Sequence, residues 1–366
     1  MPKSPDLLNL WYTGVNAVGG DAAVSRTIAA GDVQAPDRII AVGKAAAAMA
    51  TAAARTWPDT PCLIVTKYGH AETTPTGAQV IEAAHPVPDA ASVTAGQALI
   101  DAVQSCKPGS HLLMLVSGGA SSLAEVPTGD MTLDALKAET QALLASGAPI
   151  GDMNAHRTSR SQIKGGKLLA RFKGAHVTTL ALSDVEGDSL GTIGSGIGDA
   201  PSDPSFTFAP HIIASNAIAR EAVAKASPVA VLTNSETLYA DVTDLAPRLG
   251  RMLRDAAPGL HIFGGEPVVQ LPDNPGQGGR NMALGLALAR EIAGTQGLRI
   301  LVAGTDGTDG PTDAAGALID GTTWADSGAD ALARADAYPW LKDRGGLVIT
   351  GPTGTNVMDL LIAYKA

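Results

Sequence analysis

LLMLVSGGASS, Leu112 to Ser122, is a run of five apolar residues cut off by a serine, two glycines and a small-residue tail. The apolar part is too short for a core helix and shows no polar alternation, so it reads as a strand buried on both faces. Where it ends, small residues leave backbone N–H groups and hydroxyls open to a ligand. The same pattern lies upstream. Arg38–Val42 (RIIAV) is stopped by Gly43 and Lys44, and Cys62–Thr66 (CLIVT) is a second strand. Val80–Ala83 is a third short run, followed by the turn HPVPD. Alanine-rich Ala45–Arg55 and the stretch Ala90–Ser105 have helical composition. Apolar strands alternating with helices predict an α/β domain, a Rossmann-like parallel sheet with helices on both faces.

Toward the N-terminus, Leu7–Ile28 reads as helix broken near Gly19 and Gly20. Toward the C-terminus, the pattern predicts helices over Thr132–Ser146 and Gln162–Phe172 and a strand at Val177–Leu182. Residues 187–210 are rich in Gly, Ser, Asp and Pro and read as a long functional loop leading into a hinge. The rhythm then restarts, with strands at Ile212–Ala214, Val229–Leu232, Leu260–Phe263, Val268–Leu271, Leu298–Ala303, Leu347–Ile349 and Val357–Ala363. Helices are expected up to Ala226, over Leu238–Ala257 and over Arg280–Ile292. Two domains follow, 1–207 and 208–366, the second also α/β.

A chain of 366 residues holds two such cores. Its net charge of −10 argues against nucleic acid or an anionic membrane as partner of the whole surface. A small anion remains compatible, because a few cations can dominate a cleft. Two cysteines make neither a disulfide framework nor a metal cluster. With no signal-like N-terminus and no spanning apolar stretch, a cytoplasmic protein is expected.

In open α/β sheets ligands bind outside the carboxyl ends of the strands, so the strand exits are read together. Lys44 opens a helix, where the macrodipole opposes a cation unless an anion is shared. Ser117, Gly118 and Gly119 offer amides to phosphate oxygens. Asn154–Lys167 (NAHRTSRSQIKGGK) gathers Arg157, Arg160, Lys164 and Lys167, the first three on one face if helical. Arginine forks and a lysine point charge suit a carboxylate or a polyphosphate. Ser183–Asp188 (SDVEGD) presents Asp184 and Asp188 as base or metal ligands. GQGGRN, Gly276–Asn281, places Arg280 and Asn281 at a helix N-terminus behind Gly278 and Gly279. The loop GTDGTDGPTDAAG, Gly304–Gly316, presents Asp306, Asp309 and Asp313, as ligand contacts or as a solvated turn. His70, His85 and His156 fall in polar turns without metal spacing and read as structural or peripheral. Cationic anchors, amide cradles and separate carboxylates together fit phosphoryl transfer.

The motifs AVGKAAAAM, VTKYGH, HPVPD, SGGASSL, NAHRTSRSQIKGGKL, LSDVEGD, GGEPVV, GQGGRN, AGTDGTDGPTDAAGA and TGPTGTNVMDL occur in this order along nearly the whole chain. In this the chain resembles the glycerate 2-kinase family, whose C-terminal portion is the MOFRL domain. The resemblance implies an ATP- and Mg²⁺-dependent kinase acting on the 2-hydroxyl of D-glycerate or a related hydroxy acid, with the active site in an inter-domain cleft. It implies Lys44, Asp184 and Arg280 as catalytic residues. Ser117, Gly118, Gly119, Asn154, Arg157 and Lys164 are expected to bind substrate. Ser215, Asn216, Gly264, Glu266, Gly278, Gly279, Asn281, Asp306, Asp309, Thr353 and Asn356 are expected to bind nucleotide, with metal at Asp184 and Asp188. The family's Gln-Glu after GGRN is replaced by Met282 and Ala283. Alternatives are a hydroxypyruvate reductase-type oxidoreductase, which lacks a GxGxxG fingerprint here, and an inactive ligand-binding relative. A small-molecule substrate is expected as partner, and a homodimer is compatible with the sequence.

Overall fold

The computed structural model describes residues 4–129, 131–145 and 150–366. The side chains of residues 140, 141, 143–145 and 150–154 lie outside that description, and the expected substrate contact Asn154 with them. The chain forms two compact units, residues 19–215 and residues 1–18 together with 216–366. Helix α1 (Leu7–Ala17) therefore belongs with the C-terminal half, and α2 (Gly20–Ala29) begins the other unit, so the break at Gly19 and Gly20 is real.

Unit 19–215 is built on β1 (Arg38–Val42), β2 (Cys62–Lys67), β3 (Gln79–Ala83), β4 (His111–Val116), β5 (His176–Leu182) and β6 (Thr207–Ala214). They form one sheet in the order β3-β2-β1-β4-β5-β6, and every pair is parallel. Helix α3 (Ala46–Thr56) packs on β1 and β2, and α4 (Ala90–Gln104) packs on β2 and β3. Ile40, Val42, Leu63, Val65, Met114 and Val116 share a core with Ala95, Leu99 and Val103 of α4. The intervening Ile39, Ala41, Ile64, Leu113 and Leu115 are equally buried. Since side chains alternate across a strand, both faces are covered, which is why these strands read as unbroken apolar runs. A one-turn helix α5 (Ala120–Leu123) follows β4, and α6 (Leu133–Ala145) and α7 (Ile150–Arg160) complete the unit.

One expected helix does not form. Residues 161–168 are bridge, bends and turns, and only Leu169–Arg171 make a 3₁₀ turn. Gly165 (φ 61°) and Gly166 (φ 79°) take left-handed conformations that a helix over Gln162–Phe172 could not hold. A Cβ on Gly166 would stand 2.6 Å from the Ala200 carbonyl oxygen, so the chain needs glycine there twice over.

The second unit carries β7 (Val231–Glu236), β8 (Gly259–Gly265), β9 (Leu298–Gly304), β10 (Gly316–Asp320), β11 (Leu347–Val348) and β12 (Asp359–Lys365). Their order is β11-β10-β9-β12-β8-β7, and only β7 with β8 is parallel. Helix α8 (Asn216–Ala226) packs against β8 and α1. Helix α9 (Val242–Asp255), capped by Asp241, buries Val242, Leu245, Ala246, Leu249 and Leu253, a single stripe at helical spacing. Helix α10 (Arg280–Glu291) is buried from Asn281 to Ala289 and centres the core. Met282 and Ala283 are part of that core, which accounts for apolar residues at those two positions. The expected strand Val268–Leu271 is absent: Val268 makes one isolated bridge to Asp241 and is 56% exposed. Short helices α11 (Gly328–Ala333) and α12 (Ala337–Lys342) complete the unit.

Candidate active site

In the order β3-β2-β1-β4-β5-β6 the chain reverses direction of growth between β1 and β4, the point at which open sheets leave a crevice. Gly43 and Lys44 leave β1 here, and Ser117 to Gly119 leave β4. The two exits are tied together. Lys44 N donates to Gly118 O at 2.9 Å, and Ala45 N donates to Ser117 Oγ at 3.0 Å. Ser117 is 2% exposed and braces the α3 entrance. Three glycines allow the convergence. A Cβ on Gly43 (φ 130°) would meet Ser117 Oγ at 2.2 Å, and one on Gly118 would meet Asp184 Oδ2 at 2.0 Å. On Gly119 (φ 84°) it would press on His85 at 3.0 Å and on Lys44 Cγ at 3.2 Å.

Beside this crossing lies a cavity of about 190 Å³. Among the described residues its charged lining is Glu125, Arg157, Lys164 and Asp184, with His85, Ser121, Ser122, Thr192 and Ser195 supplying further polar groups. The sequence-predicted Asp184, Gly119, Arg157 and Lys164 thus share one wall of residues, drawn from the exits of β4 and β5, from α7 and from the turn after it. Of the four cations in Asn154–Lys167, two face elsewhere. Arg160 pairs with Glu139 at 3.2 Å, and Lys167 Nζ donates to the carbonyls of Thr158 (2.6 Å) and Ser161 (2.8 Å) at the end of α7.

Lys164 Nζ forms an ion pair with Glu125, both side chains being 2% exposed. Burial pushes the Lys164 ammonium below its ordinary value, and Glu125 opposes the shift. Arg157 is also lowered by burial, and it has no ion-pair partner among the described residues. His85 is pushed down to about 4, by burial first and then by Lys44, Lys67, His70 and Arg157. It is a neutral group in the cavity wall, not a peripheral one, and the expectation for it is corrected. Ser121 Oγ and Ser195 Oγ lie 2.9 Å apart, and Ser195 takes φ 56°.

In the other unit, Arg280 Nη1 pairs with Glu266 at 2.7 Å and Arg280 Nε with Asp359 at 2.6 Å. Those carboxylates raise the arginine's pKa further against the opposing effect of burial. The cation at this helix N-terminus is thus compensated within the protein. Asp309 caps the same helix from the acidic loop, accepting from Asn281 N at 3.1 Å and Met282 N at 2.8 Å. Gly279 must be glycine beneath it, for a Cβ would lie 2.3 Å from the Asp309 carboxyl carbon. Gly278 lies against Ala335 and Ala337. Asn281 donates to Asp359 at 2.9 Å. Asp306 and Thr353 meet through Thr353 N to Asp306 O at 3.2 Å, and Asn356 accepts from Met358 N at 3.1 Å. Asn216 is buried, its amide donating to the carbonyls of Val357 and Asp359, both at 3.0 Å, and Gly264 packs directly on it. Ser215 is buried at the preceding position.

Mg²⁺ needs only one or two carboxylates when phosphate oxygens complete its shell. No group of three His, Cys, Asp or Glu residues fit to hold a metal occurs among the described residues. Asp184 lines the cavity, and Asp188 (φ 52°) has a buried Oδ1 without a partner among the described residues. That donor set fits Mg²⁺ carried with a polyphosphate and does not fit a resident protein-caged metal. Two partners of the expected cations, one in each unit, had weaker signals in the sequence. Glu125 is an acid inside the apolar stretch Leu123–Val126, a pattern that marks a buried, paired carboxylate. Asp359 likewise stands beside an apolar strand.

Two family models match in sequence, a domain of unknown function (DUF4147) over residues 6–234 and the MOFRL family over residues 259–359. A D-glycerate 2-kinase from Thermotoga maritima is 35% identical, with 95% of each chain covered. A protein of Agrobacterium vitis carrying a provisional hydroxypyruvate reductase name is 37% identical over 88% of this chain and 85% of its own. A crystal structure of glycerate kinase from Thermotoga maritima superposes with a TM-score of 0.89 at 32% identity, covering 98% of both chains. No helix among the described residues is long and apolar enough to cross a membrane. With both models matched in order and this similarity running along the whole chain, the protein belongs to the glycerate 2-kinase family whose C-terminal part is the MOFRL region.

Proposed function

We propose that this chain is an ATP-dependent kinase that phosphorylates D-glycerate at the 2-hydroxyl, giving 2-phosphoglycerate and ADP. The observation that carries this is the cavity at the exits of β4 and β5, which is lined by a partly buried arginine without an ion-pair partner among the described residues, by a carboxylate and by a glycine turn. Arg157 is assigned to the substrate carboxylate, a bidentate match. Asp184 is assigned to the 2-hydroxyl. That oxygen bonds to the γ-phosphorus, the bond from phosphorus to the β–γ bridging oxygen breaks, and ADP leaves with the electron pair. The hydroxyl proton passes to Asp184. Lys44, beside Gly119, is assigned to the charge on the transferring phosphoryl group, and on the family resemblance Arg280 is assigned to the same group. Asp184 and Asp188 would hold Mg²⁺, which when bound neutralises phosphate charge. The nucleotide assignments Ser215, Asn216, Gly264, Glu266, Gly278, Gly279, Asn281, Asp306, Asp309, Thr353 and Asn356 belong to the proposal. Asp309 and Asn216 enter it as residues that shape the backbone, since their side chains bond to protein groups.

The reductase reading requires a dinucleotide fingerprint that the sequence lacks. One assay decides: D-glycerate with ATP and Mg²⁺, following ADP and NAD(P)H in parallel. ADP release without nicotinamide turnover is expected, and Lys44→Ala is expected to lower kcat by about 10²-fold or more. Nicotinamide turnover, or a Lys44→Ala enzyme as fast as the parent, overturns the proposal.

A further inference from the structure

Glu125 is held from three sides. Its Oε1 accepts from Val126 N at 2.9 Å, its own N donates to Ser92 O at 3.0 Å, and its carboxylate takes the Lys164 ammonium. Helix α4 comes so close that a Cβ on Gly96 would stand 2.4 Å from Glu125 O. The carboxylate therefore stays where it is. A buried ion pair is a poor stabilising device, because desolvation offsets most of the attraction, so its presence in a ligand cavity asks for another role. Its effect on the cavity is a matter of charge. Glu125 pairs with Lys164 and also attracts Arg157; among the described lining residues Asp184 is the other anion, and Arg157 is the cation without an ion-pair partner. Such a wall takes one carboxylate and repels a second.

We infer that Glu125 is a specificity-determining residue, which by neutralising Lys164 restricts the acceptor pocket to monocarboxylate 2-hydroxy acids and excludes dicarboxylates. The inference rests on the kinase reading for its substrate class. Hydroxymalonate is the probe, because a second carboxylate replaces the hydroxymethyl group of D-glycerate and the 2-hydroxyl remains. The ratio of kcat/KM for hydroxymalonate to that for D-glycerate is measured near pH 7. Glu125→Gln keeps the side-chain shape and an acceptor for Val126 N, and leaves the lysine without its carboxylate, so that a second ligand carboxylate can take that place. The ratio is expected to rise about tenfold, the scale of one charge interaction in a partly screened site. The double variant Glu125→Gln with Lys164→Met is expected to return the ratio toward that of the parent. If Glu125→Gln does not fold, Lys164→Met alone carries the test, with the ratio falling. An unchanged ratio, both substrates declining together, assigns Glu125 to packing alone and overturns the inference. Calorimetric binding of the two acids without nucleotide separates the two readings. A parent enzyme that turns over no glycerate sinks the kinase assignment, whereas binding of hydroxymalonate no tighter in Glu125→Gln sinks the role of Glu125.

Discussion

At pH 7 the His85 imidazole is neutral, because burial and the cations Lys44, Lys67 and Arg157 hold its pKa at about 4 against 6.5 in the unfolded chain. Between those values the unfolded state binds a proton that the native state refuses, so stability falls as pH drops from 6.5 to 4. Screening by solvent at this partly exposed site reduces the effect to about 1–2 kcal/mol. His85→Asn is expected to flatten that acid limb, measured as urea midpoints at pH 7 and pH 4.5. An unchanged slope would mean that the ring is not excluded from water as the structure has it. The sequence exposed Lys44 and Asp184 as charges at strand exits, where no core needs one, and Arg157 and Lys164 as members of a basic cluster in an otherwise acidic chain. It hid His85, a lone histidine whose position against Gly119 depends on a contact made across the sheet. It gave no sign of the carboxylates that pair with Arg280, since Glu266 and Asp359 lie 14 positions before it and 79 after it in the chain.

Helix α10 depends on a cap that comes from 27 and 28 residues downstream. Its N-cap position, Gly279, has no side chain to offer, and Asp309 takes that role with two accepted N–H bonds. Burial pushes Asp309 up to about 6 while those two amides pull it back, so some of the capping gain is offset by desolvation. Asp309→Ala is expected to lower stability by about 1 kcal/mol at pH 7, read as a shifted urea midpoint with unchanged slope. No shift would show the cap to be idle. The acidic loop and GQGGRN were each legible as glycine-rich, but their mutual fit was not: it resides in the approach of Gly279 to Asp309. The same limit applies to residues 161–168. Helical spacing of Arg157, Arg160 and Lys164 suggested one face of one helix, whereas Gly165 and Gly166 needed a left-handed backbone to run beside Ser195 and Gly196. Strand β10 went unread because GALID follows the loop too closely to stand out as a separate run.

Helix α1 shows what pattern alone does not convey about the whole chain: its first element folds with its last. Leu7, Leu10, Trp11 and Val15 are buried, and Thr355 Oγ1 donates to Val18 O at 2.7 Å. Gly14 is the point of closest approach. A Cβ there would meet Val223 Cγ2 of α8 at 2.8 Å, Ala219 O at 3.1 Å and Leu360 Cδ1 of β12 at 3.3 Å. Nothing in WYTGVN marks that glycine, since its reason lies more than 200 residues downstream. Gly14→Val overpacks this junction, and overpacking of a tight contact costs about 1–3 kcal/mol. Because α1 belongs to the unit that contains 216–366, the loss should fall on that unit alone. Amide exchange in the intact chain checks this. Protection of α8 and β12 is expected to drop by about one to two orders of magnitude, while β1 and β4 keep theirs. If β1 and β4 lose protection to the same degree, the two units open as one cooperative body and the division at residue 215 has no energetic meaning.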